Sequence, residues 1–173
     1  FVGRQILAVM VEPIKAECGV SDTAIGLISG LAFAAVYALM GLPAGRLVDR
    51  MPRIRLLAMS CLLWAVATMA CGLAGSFLAL AVARMLVAIS ESPTTSASLS
   101  LIADLYPAHR RSFAISCFTA APTFSSIIGL SIGAWVVEHY GWRMAFIALG
   151  MPALVFCTLL AFFVREPQRG RWD

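Results

Sequence analysis

Arg84 and Glu91 stand inside one long apolar stretch, Leu78–Leu105, and are the side chains best placed to do chemistry. They are seven residues apart, close to two turns of an α-helix. Arg84, Ala88, Glu91, Thr95 and Ser98 advance by four, three, four and three residues, so a helix lines all five along one narrow stripe. A charge at the centre of a bilayer costs about 2.5–3.5 kcal/mol even on insertion scales, so it normally faces a bundle interior or a water-filled cavity. The stripe therefore reads as a cavity wall. Burial disfavours a charged carboxylate and a nearby arginine favours it, which makes Glu91 a candidate to take up and release protons. Arg84 could hold an anionic group, or pair with Glu91 in its absence. The plain alternative is a static ion pair that fixes helix packing. Arg4, in the first apolar stretch, is a third candidate, against the alternative of an arginine snorkelling to an interface.

A second charged stretch, Gly45–Arg55 (GRLVDRMPRIR), gathers Arg46, Arg50, Arg53 and Arg55 around one acid, Asp49. Apolar runs flank it, Thr23–Pro43 before and Ile54–Leu73 after. Such a segment cannot lie in hydrocarbon and is expected to form a turn at a membrane surface. Composition agrees, with 61% hydrophobic and 13% charged residues, against roughly 45–50% and 25% in soluble domains. The apolar residues come in blocks of about the twenty residues that a membrane helix requires. Lipid-exposed backbone must satisfy its own hydrogen bonds, so the expected fold class is an all-α, multi-pass membrane protein surrounded by the lipid bilayer.

Six spans are expected, at residues 1–16, 23–45, 54–73, 78–105, 112–137 and 143–164, the first too short and read as truncated. Ser21 or Asp22 can cap the second. Nine of the thirteen Lys+Arg residues fall on one side of this arrangement: Arg46, Arg50, Arg53, Arg55, Arg110, Arg111, Arg165, Arg169 and Arg171. The other side holds Lys15 and Arg143. That bias places both ends in the cytoplasm, of a bacterial inner membrane or a plasma membrane. Gly26/Gly30, Gly41/Gly45 and Gly129/Gly133 are small-residue pairs expected to admit a neighbouring helix. Pro43, Pro93, Pro122 and Pro152 are expected to interrupt their helices.

The remaining chemistry is excluded or unsupported. The net charge of +4 is explained by the loops and is not a nucleic-acid footprint. Five cysteines show neither CxxC nor metal spacing, so neither a disulfide framework nor a metal site is expected. No phosphate-binding GxxxxGK[ST], GxSxG or HExxH is present, and His109 and His139 fall in expected loops. No cofactor and no enzyme activity are expected.

With these residues in view, the chain resembles the N-terminal half of a major facilitator superfamily transporter. GRLVDRMPRIR is similar to the loop between that superfamily's second and third helices, G-x-L-x-D-R-x-G-R-[KR]; Gly45, Leu47, Asp49, Arg50 and Arg53 match, and Pro52 replaces a glycine. ARMLVAISESPTTSASLSLIADLYPAHRRS resembles the fourth helix and following loop of the spinster-like branch, through Arg84, Glu91, Asp104, Leu105, Tyr106 and Arg111. WRMAF and VREPQRG look like that branch's sixth helix and exit. The resemblance implies a six-transmembrane-helix bundle whose C-terminal half is absent from this chain. It implies a secondary transporter of a small organic solute, anionic or amphipathic, working by alternating access with protons as candidate coupling ion. Arg84, Glu91, Arg4, Thr95 and Ser98 would serve substrate and proton; Gly45, Asp49, Arg50 and Arg53 would form a cytoplasmic gating loop. The branch usually carries Asp-Arg in its first helix, where this chain has Gly3-Arg4, so Glu91 would carry more of any coupling. The rival expectation is a half-size, non-transporting membrane subunit or remnant in which the Arg–Glu pair is structural.

Overall fold

The computed structural model describes the backbone of residues 2–170 and the side chains of residues 9–170. Among the described residues the chain is helical and contains no strand. Six helices run back and forth: α1 Val2–Cys18, α2 Asp22–Arg50, α3 Arg53–Gly72, α4 Phe77–Leu105, and then Ala108–Phe163, which Gly141 divides into α5 (108–140) and α6 (142–163). The helices from α2 onward are long and apolar enough to cross a bilayer. Large side chains such as Leu31, Leu42, Phe113 and Phe162 lie exposed on their outer faces.

Local chemistry sets the ends. Ser21 caps α2 by accepting the Ala24 N–H at 3.2 Å, and Ser76 caps α4 by accepting the Ala79 N–H at 3.2 Å. Pro52 and Pro107 force extended backbone on Met51 and Tyr106, which ends α2 and α4. Gly141 turns between α5 and α6 at φ 79°, a value that only glycine adopts without strain.

Several sequence expectations need correction. The stretch Gly45–Arg55 is not one long turn: α2 continues through Arg50, α3 begins at Arg53, and only Met51 and Pro52 lie between them. Helix termination follows proline and glycine, whereas the apolar blocks stop where charge begins. For the same reason α5 runs beyond residue 137, and His109 and His139 lie within the helical segment Ala108–Phe163 rather than in loops. The helices continue through Pro43, Pro93, Pro122 and Pro152 without interruption. The irregularity in α2 is instead a single π-turn at Leu27–Leu31.

α4 is the central helix, with twelve buried residues including Arg84, Glu91 and Asp104. The main apolar cluster lies toward the side away from the arginine-rich turn, hereafter the opposite side, and includes Met10, Ile14, Phe33, Cys71, Leu80, Val87 and Phe146. A smaller cluster of Val48, Leu56 and Ala97 lies on the basic side. Gly26, Gly30, Gly41 and Gly45 do not mark a close approach of helices, since an added Cβ there would meet nothing within 4 Å. α3 and α6 do approach closely: a Cβ on Gly72 would stand 2.5 Å from the Arg143 carbonyl oxygen, and one on Gly150 would stand 2.5 Å from Met69 Cγ and 3.0 Å from the Ala65 carbonyl oxygen. Met69 can swing aside, but a backbone carbonyl cannot. Gly72→Ala should therefore lose about 1–3 kcal/mol of stability through overpacking. Gly41→Ala, in open space, should be neutral or slightly stabilising. Thermal unfolding of the two variants in detergent checks the contrast, and equal midpoints would contradict it.

Candidate functional site

Glu91 projects from the middle of α4 onto a cavity of about 590 Å³ inside the bundle. Thr94, Thr95 and Ser98 line it from the same helix, Ser60, Cys61 and Trp64 from α3, and Tyr37 from α2. Phe118 and Ser125 of α5 and Phe156 of α6 complete the wall. Glu91 is only 9% exposed, and its Oε1 accepts a hydrogen bond from Trp64 Nε1 at 3.1 Å. The indole therefore fixes the carboxyl from a neighbouring helix. Thr94 Oγ1 donates to the Glu91 carbonyl at 2.6 Å and Ser90 Oγ to the Val87 carbonyl at 2.7 Å. Spending their protons on the helix leaves these hydroxyls as acceptors toward the cavity.

Arg84 has different surroundings. It is 2% exposed, does not line this cavity, and lies about 10 Å from Glu91 along the helix axis, toward the opposite side. Its guanidinium lies 5.3 Å from the centre of the Phe33 ring, a cation–π contact within the main apolar cluster. The stripe read from the sequence thus splits: Glu91, Thr95 and Ser98 meet on one cavity, and Arg84 sits in the packed region beyond Ala88. The side chain of Arg4 lies outside the described residues.

The basic side carries a second polar assembly, centred on Arg53. This side chain is 2% exposed and joins α3 to α4 and to the segment after α6. Its Nε donates to Glu166 Oε1 at 2.9 Å, and its Nη1 donates to Ser100 Oγ at 2.8 Å and to the Asp104 carboxylate. Glu166 Oε2 accepts the Ile54 N–H at 2.7 Å, and Asp104 Oδ1 accepts the Gly170 N–H at 3.0 Å. Arg169 closes the end of α2 by donating to the carbonyls of Val48 (2.8 Å), Met51 (2.7 Å) and Asp49. Of the four residues marked as a gating loop, Arg53 is the hub and Asp49 contributes its backbone carbonyl. Among the described residues, Gly45 and Arg50 make no side-chain contact of this kind.

Glu166, Arg169, Ser100 and Trp64 carry these two assemblies and were not singled out by sequence reasoning. Glu166 and Arg169 lie more than 110 residues from their partners. In the sequence they stood only within the exit motif VREPQRG, with Arg169 also counted among the loop arginines, and nothing there named their partners. Trp64 gives no signal at all within an apolar span.

On the opposite side, Glu17 ties α1 to α6, accepting from Trp142 Nε1 at 2.7 Å and Arg143 Nη2 at 2.6 Å. Arg143 also donates to the Ala74 carbonyl at 2.6 Å, holding the turn after α3.

A buried carboxyl thus faces a cavity with several hydroxyls in its wall, and an ion-paired cluster ties the basic helix ends. The Major Facilitator Superfamily family model matches residues 1–172. The chain belongs to the major facilitator superfamily. It is an integral membrane protein. It is 35% identical, over 95% of its length, to an MFS-type efflux pump of Mycolicibacterium smegmatis, and 29% identical, over 97%, to a hexuronate transporter of Escherichia coli K12. A probable galactarate/D-glucarate transporter of Bacillus subtilis is 26% identical over 98%. The chain spans 38–39% of the length of these relatives. Their names are those of transporters rather than enzymes. Among solved structures, a bacterial homolog of the human lysosomal transporter Spinster, inward-facing and unoccupied, superposes with a TM-score of 0.90 at 31% identity. That match covers 99% of this chain and 41% of the other, and supports the spinster-like resemblance. The proton:xylose symporter XylE shares the fold, with a TM-score of 0.82 at 19% identity over 95% of this chain and 42% of its own.

The ionisation of Glu166 makes the ion-paired cluster testable. Burial works against its charge, but the Ile54 N–H and the Arg53 guanidinium outweigh it and hold the carboxyl below its ordinary value of 4.5. Because the folded-state value is the lower one, the contribution is fully present above 4.5 and is lost as pH falls through the lowered folded value. Glu166→Gln should cost about 1.5–3 kcal/mol at neutral pH. The difference from the native protein should stay constant down to about pH 5 and shrink only in stronger acid. Thermal unfolding in detergent across that range is the check.

Proposed function

We propose that this chain is the N-terminal half of a secondary transporter that moves a small organic solute, anionic or amphipathic, by alternating access. A second half, in the part of its relatives that this chain does not span, would complete the transport path by pseudo-symmetry. The observation that carries the reading is Glu91: a nearly buried carboxyl, positioned by Trp64, on the wall of a cavity to which several hydroxyls also contribute. An ionisable side chain within a membrane span and on a cavity wall is a candidate for the coupling role that the spinster-like resemblance implies for this position.

In this reading Thr95 and Ser98 offer oxygens to a polar solute; Arg84, which lies off this cavity, would act on an anionic group only through its charge at a distance, and Arg4 is a further candidate for that charge. Organic anions are what several relatives are named for: hexuronate, galactarate/D-glucarate and, in Acinetobacter baylyi, cis,cis-muconate. The basic side is the cytoplasmic side, with both chain ends on it, as the arginine excess requires. The assembly of Arg53, Asp104 and Glu166, with Asp49, Arg50 and Gly45 at the adjoining end of α2, serves there as the gate that closes and reopens.

Replacing Glu91 by Gln keeps the shape and the indole contact but removes the titrating proton. In proteoliposomes, Glu91→Gln should abolish the pH dependence of solute uptake while leaving insertion and thermal stability unchanged. Unaltered pH dependence in a correctly inserted variant would overturn the role given to Glu91.

A further inference from the structure

Beyond the cavity around Glu91 there is another, of about 530 Å³, on the outer face of the bundle between α3 and α6 at their basic-side ends. Its floor is shallow because Ala58 of α3 and Ala161 of α6 have the smallest side chains that a helix carries without losing its Cβ, while Met59, Leu62 and Phe162 rise around them. From Ile54 to Leu62 the groove follows α3 for about 12 Å, close to the roughly 15 Å depth of one hydrocarbon leaflet. Two charged side chains stand at its open end, Arg55 and Glu166.

Those two charges are not equivalent. Both oxygens of Glu166 are engaged, Oε1 by Arg53 and Oε2 by the Ile54 N–H. Arg55 is exposed and, among the described residues, has no ion-pair or hydrogen-bond partner. The groove therefore presents one uncommitted cation at headgroup level above an apolar slot that follows the leaflet inward. We propose that it is a binding site for one anionic phospholipid of the leaflet beside the arginine-rich turn, with the phosphate on Arg55 and an acyl chain lying over Ala58 and Ala161. A zwitterionic lipid would fit the slot equally well but would gain less from Arg55, since a polybasic surface attracts anionic headgroups charge by charge. The bound lipid would bridge α3 and α6 next to Glu166, which already joins the ends of the same two helices. This site is independent of what the protein transports.

Intact mass spectrometry of the full-length protein released from detergent, after incubation with dioleoyl phosphatidylglycerol or dioleoyl phosphatidylcholine, tests it. The native protein should retain phosphatidylglycerol about fivefold more tightly, the order that one arginine supplies at an anionic surface. Arg55→Gln, at an exposed position that does not endanger folding, should bring the two lipids level. Arg46→Gln removes the same charge from α2, away from the groove, and should leave the preference intact. Ala161→Trp fills the slot and should lower retention of both lipids. Equal retention of the two lipids by the native protein would overturn the proposal, as would a preference that survives Arg55→Gln. Equal loss of preference in Arg46→Gln would mean general surface attraction and would overturn the site as well. Should Ala161→Trp fail to fold, the two arginine variants decide the matter alone.

Discussion

A guanidinium that is 2% exposed can remain charged only if acceptors replace the water it has lost, and Arg53 has them from two directions. Ser100 and Asp104 come from α4, and Glu166 comes from the segment after α6. Each carboxylate is fixed in turn by a backbone N–H, of Gly170 and of Ile54 respectively. Such an assembly is weak evidence of net stability, because two desolvated charges repay their cost only with good geometry; removing one partner, however, strands a buried charge at about 3–5 kcal/mol. Arg53 thus makes the positions of three segments interdependent. The short turn at Met51 and Pro52 is what places this arginine at the very start of α3, where it can reach both partners.

α4 carries three buried ionisable side chains, and each is accommodated in a different way. Asp104, at the basic end, is ion-paired to Arg53. Glu91, near the middle, meets an indole N–H and a polar cavity. Arg84, nearer the opposite end, lies over the face of Phe33 among apolar neighbours. These solutions rank by how readily the charge can change. Asp104 is tied to a fixed cation, and arginine does not titrate in the accessible range. Of the three, Glu91 is the one whose side chain lines the cavity, although all three lie on one helix.

How much of this could be read from the sequence depends on how local each feature is. The side of α4 that carries Glu91, Thr95 and Ser98 was legible, because helical spacing alone puts them together. The apolar blocks located the helices for the same reason, yet their ends were misjudged: α2 runs through Asp49 and Arg50 because Pro52, not charge, stops it. Trp64 and Glu166 were not legible, since each finds its partner only after distant helices have packed. Two of the three glycine pairs failed in an instructive way, whereas Gly129 and Gly133 are buried beside α6. Gly26/Gly30 and Gly41/Gly45 have the spacing of a contact face but face open space, whereas Gly72 and Gly150 belong to no pair and sit where α3 and α6 touch. Spacing describes one helix; close packing is a property of two.

The two ends of the bundle are held together by different forces. On the opposite side, Met10, Ile14, Cys71, Leu80 and Phe146 form a continuous apolar core, reinforced by the bonds from Trp142 and Arg143 to Glu17. Separating those groups would forfeit close van der Waals packing, which rather than exclusion of water is what holds apolar side chains together between membrane helices. On the basic side the apolar cluster is small, and cohesion comes from Arg53, Asp104, Glu166 and Arg169. Water and other charged groups can take over hydrogen bonds of that kind one at a time, so each exchange costs only the small difference between two good partners. The contacts of the basic end are therefore the more readily exchanged, while the apolar end fixes the relative positions of α1, α3, α4 and α6 by packing. The cavity at Glu91 lies between the two regimes, with Trp64, packed against the larger apolar cluster, on its wall.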